Sequence, residues 1–141
     1  MYVPSKPKRV LAFGTFDLLH PGHRYFLRCA ARLGMELVVV VARDRNVARM
    51  KKRRAVQSER TRLHAVRVLP YVTRALLGQR ELKHHYDLVR KFHPNVIALG
   101  YDQQPSIPVL RRQLKALGLT TAIVRLKPFH PERYKSNLLR D

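Results

Sequence analysis

A chain of 141 residues has room for one domain around one core. Its 45% hydrophobic residues exclude a disordered chain, its single cysteine, Cys29, excludes an internal disulfide, and no apolar run reaches the ~20 residues of a membrane-spanning helix. Charge is the unusual total: 29 Lys and Arg stand against 9 Asp and Glu, a formal +20, which favours polyanionic partners such as nucleotides, nucleic acid or anionic surfaces.

The N-terminal stretch Met1–Lys8 is basic and leads into a short strand rather than into the long apolar segment of a secretory signal, so a cytoplasmic protein is expected. Val10–Phe13 is continuous and apolar, as a strand buried on both faces would be, and Leu37–Val41, Val96–Leu99 and Ala122–Val124 repeat that character. Helical spacing separates them. Phe26, Cys29, Ala30 and Leu33 recur at i, i+3, i+4 and i+7; Leu82, Tyr86 and Val89, and then Leu110, Leu114 and Leu117, follow the same rhythm. Cys29, on such an apolar stripe, reads as an inert packing residue. Ser58 is placed to cap a helix that runs to Leu69 before Pro70, and Tyr71–Leu77 reads as a further strand. Strands alternating with helices predict a single α/β domain over residues 1–141, a doubly wound, Rossmann-like parallel sheet of about five strands with helices on both faces. A ligand of such a sheet sits at the C-terminal ends of its strands.

The loop leaving the first strand, GTFDLLHPGH from Gly14 to His23, occupies that position. Gly14 permits close backbone approach, and Pro21 suits the first turn of a helix, where a missing N–H has no partner to lose. The helix therefore begins near His20. His20 and His23, three apart at its positive N-terminal end, can present imidazoles to one phosphate. A metal site is an alternative without a third ligand at a suitable spacing, and plain helix capping is another. The dinucleotide fingerprint and the P-loop are both absent. Downstream, nine basic and two acidic residues lie between Arg43 and Arg62, including Lys51-Lys52-Arg53-Arg54, which reads either as a solvated loop or as a phosphate site. Asp44 is placed either to meet a ribose or to cap the next turn, Tyr101 to stack on a ring or simply to be half-buried, and His64, His84, His85, His93 and His130 read as surface or core histidines.

GTFDLLHPGH resembles the H-x-G-H signature of the cytidylyltransferase-like nucleotidyltransferases, and with VVVARD (Val39–Asp44) and LGYDQ (Leu99–Gln103) the chain is most similar to the archaeal FAD synthases within them. The resemblance extends from Arg9 to about Arg125. It implies phosphate and transition-state contacts from His20 and His23, with Lys51 or Lys52 and Arg60 also holding phosphates. It implies a nucleotide site built from Gly14, Thr15, Phe16, Asp17, Gly22, Gly100, Tyr101, Asp102 and Gln103. Asp17 would fix the turn or stand near a metal. The tail departs from the family, which carries a Ser/Thr-rich segment there: only Ser136 matches, and Arg125 or Arg133 would substitute. The implied reaction is adenylyl transfer from ATP to FMN, with Mg²⁺ bridging phosphates, in a homodimer. A CTP-dependent enzyme acting on glycerol 3-phosphate is the alternative within the family, and a basic nucleic-acid-binding module is the alternative outside it.

Overall fold

The computed structural model describes residues 8–128. Five strands form one sheet: β1 (Arg9–Gly14), β2 (Glu36–Val41), β3 (Arg74–Leu77), β4 (Val96–Leu99) and β5 (Ala122–Arg125). Their order is β3-β2-β1-β4-β5 and every neighbouring pair is parallel. Parallel strands must all be entered from the same end, so helical connections carry the chain back across the faces. These are α1 (Pro21–Ala31), α2 (Asp44–Lys51), α3 (Glu59–Arg67), α4 (Asp87–Phe92) and α5 (Ile107–Ala116).

Both sheet faces are covered, as expected of continuous apolar strands. Alternation along β1 divides the core. Val10 and Ala12 join Leu27 and Ala30 of α1 and Val66 of α3 on one side. Leu11 and Phe13 join Leu88, Val89 and Phe92 of α4 and Leu110 and Leu114 of α5 on the other. Leu11 pairs in register with Ile97, and each is buried to within 1%; burying one such side chain stabilises the fold by about 1.5–3 kcal/mol.

Three expectations needed adjustment. Tyr71–Leu77 yields strand only from Arg74. The Leu82–Val89 pattern divides into a 3₁₀ turn, Leu82–His84, and the short α4. The stripe on α1 is shifted, with Leu27 and Ala30 buried while Phe26 faces the cavity described below. Helix α2 lies where the sequence showed only a basic run. The chain leaves β1 toward β2 on one side and returns on the other side as β4, and ligands of open parallel sheets settle at such a reversal.

Candidate active site

Gly14 ends β1, and a Cβ there would stand 2.6 Å from Cε2 and Cζ of Phe16. The space beside the glycine is therefore taken by the Phe16 ring, which leaves no room for a side chain there. Phe16 and Leu18 hold φ values of +55° and +53°, conformations uncommon for residues with side chains. They persist because the loop is tied down at several points. Asp17, 8% exposed, accepts from the backbone N–H groups of Val56 (2.8 Å) and Gln57 (2.9 Å), and Gln57 Oε1 accepts from Leu18 N. Of the two roles the resemblance allows Asp17, these bonds supply the turn-fixing one.

His20 is the N-cap of α1, with Pro21 in the first turn. Its Nδ1 accepts from Gly22 N at 3.1 Å, while His23 Nδ1 accepts from His20 N at 3.3 Å, a reciprocal capping box made of two imidazoles. An Nδ1 that accepts carries no proton, so each neutral ring bears its proton on Nε2, the nitrogen on the far side. The rings stack with centroids 3.8 Å apart, and Phe16 meets His23 edge-on at 5.7 Å. Desolvation lowers the pKa of His20. Burial first, then the neighbouring His20 and Lys51, push that of His23 down to about 3 against the opposing charge of Asp17. Both rings are neutral donors at physiological pH.

Opposite this loop, α2 and the lead-in to α3 are organised by Arg62, which is fully buried. Its guanidinium donates to Gln57 O (3.1 Å), Thr15 O (2.9 Å), Ala42 O (2.8 Å) and Asp44 Oδ1 (2.6 Å). Asp44 is thus engaged by an arginine. Ser58 caps α3 as expected, its Oγ accepting from Thr61 N. On the β4 side, Gln103 Oε1 accepts from Gly100 N and Gln103 Nε2 donates to Phe13 O, tying the exit of β4 to that of β1. Arg125 donates to Gly100 O and Gln103 O and supports this loop from behind.

These parts enclose a cavity of about 790 Å³ at the C-terminal strand edge, within the ~300–1,000 Å³ range of small-molecule sites. Gly14, Thr15, Phe16, Asp17, Gly22, His20, His23, Lys51, Gly100, Tyr101, Asp102 and Gln103 all line it. Lys52, Arg60 and Arg125 do not: Lys52 ends α2 in a left-handed turn, and Arg60 is exposed on α3. Ser136, Arg133 and His130 fall outside the described residues. Lys51 is exposed as a whole, but desolvation of its ammonium and then the charge of Arg53 lower its pKa, while Asp17 and Asp102 raise it. Among the described residues no three His, Cys, Asp or Glu side chains cluster to hold a metal ion.

Arg53 and Arg54 of the basic run also line the cavity. Several other lining residues escaped sequence reasoning, among them His85, whose ring packs 4.7 Å from Phe13. Arg43, Asn46, Val47 and Met50 also line the cavity. Their i, i+3, i+4, i+7 spacing was the available signal, obscured because the face is only half apolar.

The cytidylyltransferase-like family profile matches residues 11–140. The FAD synthase of Methanosarcina mazei is 46% identical over 118 residues, 84% of this chain and 76% of that protein. The FAD synthase of Korarchaeum cryptofilum is 45% identical over 125 residues, 86% of this chain and 83% of that protein. Among solved structures, a lipopolysaccharide core biosynthesis protein from Thermoplasma volcanium superposes with a TM-score of 0.79 at 39% identity, covering 87% of this chain and 98% of that one. The chain belongs to the cytidylyltransferase-like family and, within it, to the group that holds the archaeal FAD synthases.

Proposed function

We propose that this protein is an FMN adenylyltransferase that converts ATP and FMN to FAD and pyrophosphate. One observation carries the reading: two neutral imidazoles, oriented by mutual capping with Nε2 protonated, stand at the N-terminus of α1 on the wall of a cavity large enough for small-molecule substrates. The FAD synthases that share this sequence at 45–46% identity supply the choice of substrates, and they do not favour the glycerol 3-phosphate alternative.

A phosphate monoester has a second pKa of about 6, so the FMN phosphate is a dianion at neutral pH and attacks without a general base. One of its oxygens bonds to the α-phosphorus of ATP as the bond from that phosphorus to the bridging oxygen breaks, and pyrophosphate departs with the electron pair. The protein's contribution is position and charge. The Nε2–H groups of His20 and His23 and the positive N-terminal end of α1 stabilise charge on the transferring phosphoryl group, and Lys51 faces the leaving phosphates. A divalent cation such as Mg²⁺, carried in with the nucleotide, would supply further neutralisation of phosphate charge beside Lys51.

The test is FAD and pyrophosphate release from FMN plus ATP, run beside glycerol 3-phosphate plus CTP. FAD and pyrophosphate in equal amounts, from the first mixture only, is the expected result. Turnover of the second mixture alone would replace the reading with the CTP-dependent one, and turnover of neither, with salt-sensitive RNA binding, would replace it with a nucleic-acid module. The homodimer is proposed on the resemblance and is checked by light scattering. A cytoplasmic location accords with the described helices, none of which is long and apolar enough to cross a membrane.

A further inference from the structure

The cavity has a stretch of wall that the phosphate chemistry does not use. It is built by the first turn of α2, ahead of Lys51, and by the segment after β3, on the opposite side of β1 from β4 and the Gly100 loop. Asn46 stands in it, 5% exposed, between the buried Val47 and the end of β3. Its Nδ2 donates to Gln79 O at 2.9 Å. A carbonyl only accepts, so this bond fixes which end of the amide faces Gln79 and turns Oδ1 the other way. Oδ1 is buried and has no hydrogen-bond partner. Native proteins seldom leave a buried acceptor unmatched, and a cavity wall is where a ligand can supply the missing donor.

The surroundings limit what that ligand is. Phe13 and Val47 are buried beside the cavity, and the His85 ring packs against Phe13 in the same wall. Burial lowers the pKa of His85, so its ring is neutral; the cation beside Asn46 on this face of α2, Arg43, is held by Gly78 O at 2.7 Å and by Glu59 at 3.6 Å. Apolar and aromatic surface around one unmatched amide oxygen suits a planar heteroaromatic ring that presents an N–H at its edge. The anionic parts of both substrates belong at the other end, near His20, His23 and Lys51.

We propose that Asn46 is a specificity-determining residue for the acceptor, its Oδ1 receiving the imide N3–H of the flavin ring while the ring lies against Phe13, Val47 and His85. This rests on the FMN adenylyltransferase reading. It adds a contact that distinguishes a flavin from acceptors with no ring imide.

Wild-type protein is compared with FMN and with N3-methyl-FMN, by quenching of flavin fluorescence for binding and by FAD formation for KM, and the comparison is repeated with Asn46→Ala. N3-methylation is expected to raise the wild-type KM for flavin by about 10- to 100-fold with the KM for ATP unchanged. Asn46→Ala should raise the KM for FMN comparably and remove the penalty of methylation. If that variant does not fold, Asn46→Ser takes its place, and the wild-type comparison is independent of both. Equal use of the two flavins by the wild type, or a methylation penalty that survives in the variant, overturns the role of Asn46 and leaves the FAD synthase reading intact. A rise in the KM for ATP alone on substitution also overturns it and assigns Asn46 to the nucleotide. A wild type that neither binds FMN nor makes FAD overturns both.

Discussion

Under the proposed function the two nitrogens of each imidazole in the H-x-G-H element have separate tasks. In His20 and His23 the Nδ1 atoms close the first turn of α1, which leaves Nε2–H as the donor that the proposal turns toward substrate. In the sequence, capping and phosphate binding looked like rival roles for this pair, because spacing shows that two rings share a helix end but not which atoms they use. His20→Ala should lower the melting stability by about 1 kcal/mol through loss of the cap and lower FAD turnover by about 10²-fold. His20→Asn keeps a good capping acceptor but has no Nε2–H, so its thermal melt should match the wild type while turnover falls as in the alanine variant. Full turnover in His20→Asn would show that the ring donates nothing to the reaction. His23 adds a pH dependence. Its pKa is about 3 when folded and ordinary, near 6.5, when unfolded, so between those values the unfolded chain binds the extra proton. Stability therefore falls as pH drops from about 6.5 toward 3, with His20 and His85 acting in the same direction. Denaturant midpoints at a series of pH values should show this slope, and it should flatten in His23→Asn.

Helices were legible in the sequence only where they pack on the sheet. Four strands announced themselves as continuous apolar runs, β3 only as the longer and more mixed Tyr71–Leu77, and α1, α3 and α5 by stripes or by a capping serine. Helix α2, DRNVARMK, buries only Asn46 and Val47 because it faces the cavity rather than the core, so it has no apolar stripe to find. On α3 the same ambiguity concerned arginines: Arg60 drew attention as a phosphate ligand, yet positions two apart lie about 200° apart around a helix, and Arg62 is the one turned inward. Nothing in the sequence separates an exposed from a buried arginine in so basic a run. Arg62→Met is expected to cost about 3–5 kcal/mol, since Thr15 O, Ala42 O and Gln57 O would lose their donor and Asp44 its counter-charge. A Tm lowered by roughly 10 °C, measured by calorimetry, would register that loss. A near wild-type Tm would mean that other donors reach those carbonyls.

For the molecule as a whole, the sheet order places both proposed substrates at one reversal between β1 and β4, and both substrates are anionic. A net charge of +20 then acts at a distance, drawing ATP and FMN toward the cavity before any contact forms. Raising salt from about 0.05 to 0.5 M shortens the reach of that attraction, so kcat/KM should fall several-fold while kcat stays nearly constant. An unchanged kcat/KM would show that the charge serves something other than substrate capture.

Arg62 also bears on how the cleft opens. Its bonds run to the β1–α1 loop, the end of β2, the start of α2 and the lead-in to α3, so none of these connections can loosen without breaking bonds that hold the others. The amides of Val56 and Gln57, anchored on Asp17, should then exchange with deuterated solvent only in the same rare openings that free the Arg62 contacts, at a rate close to that of the central strands. Heat should extinguish catalysis and tertiary structure in a single step, with no intermediate in which a folded domain carries a slack cleft.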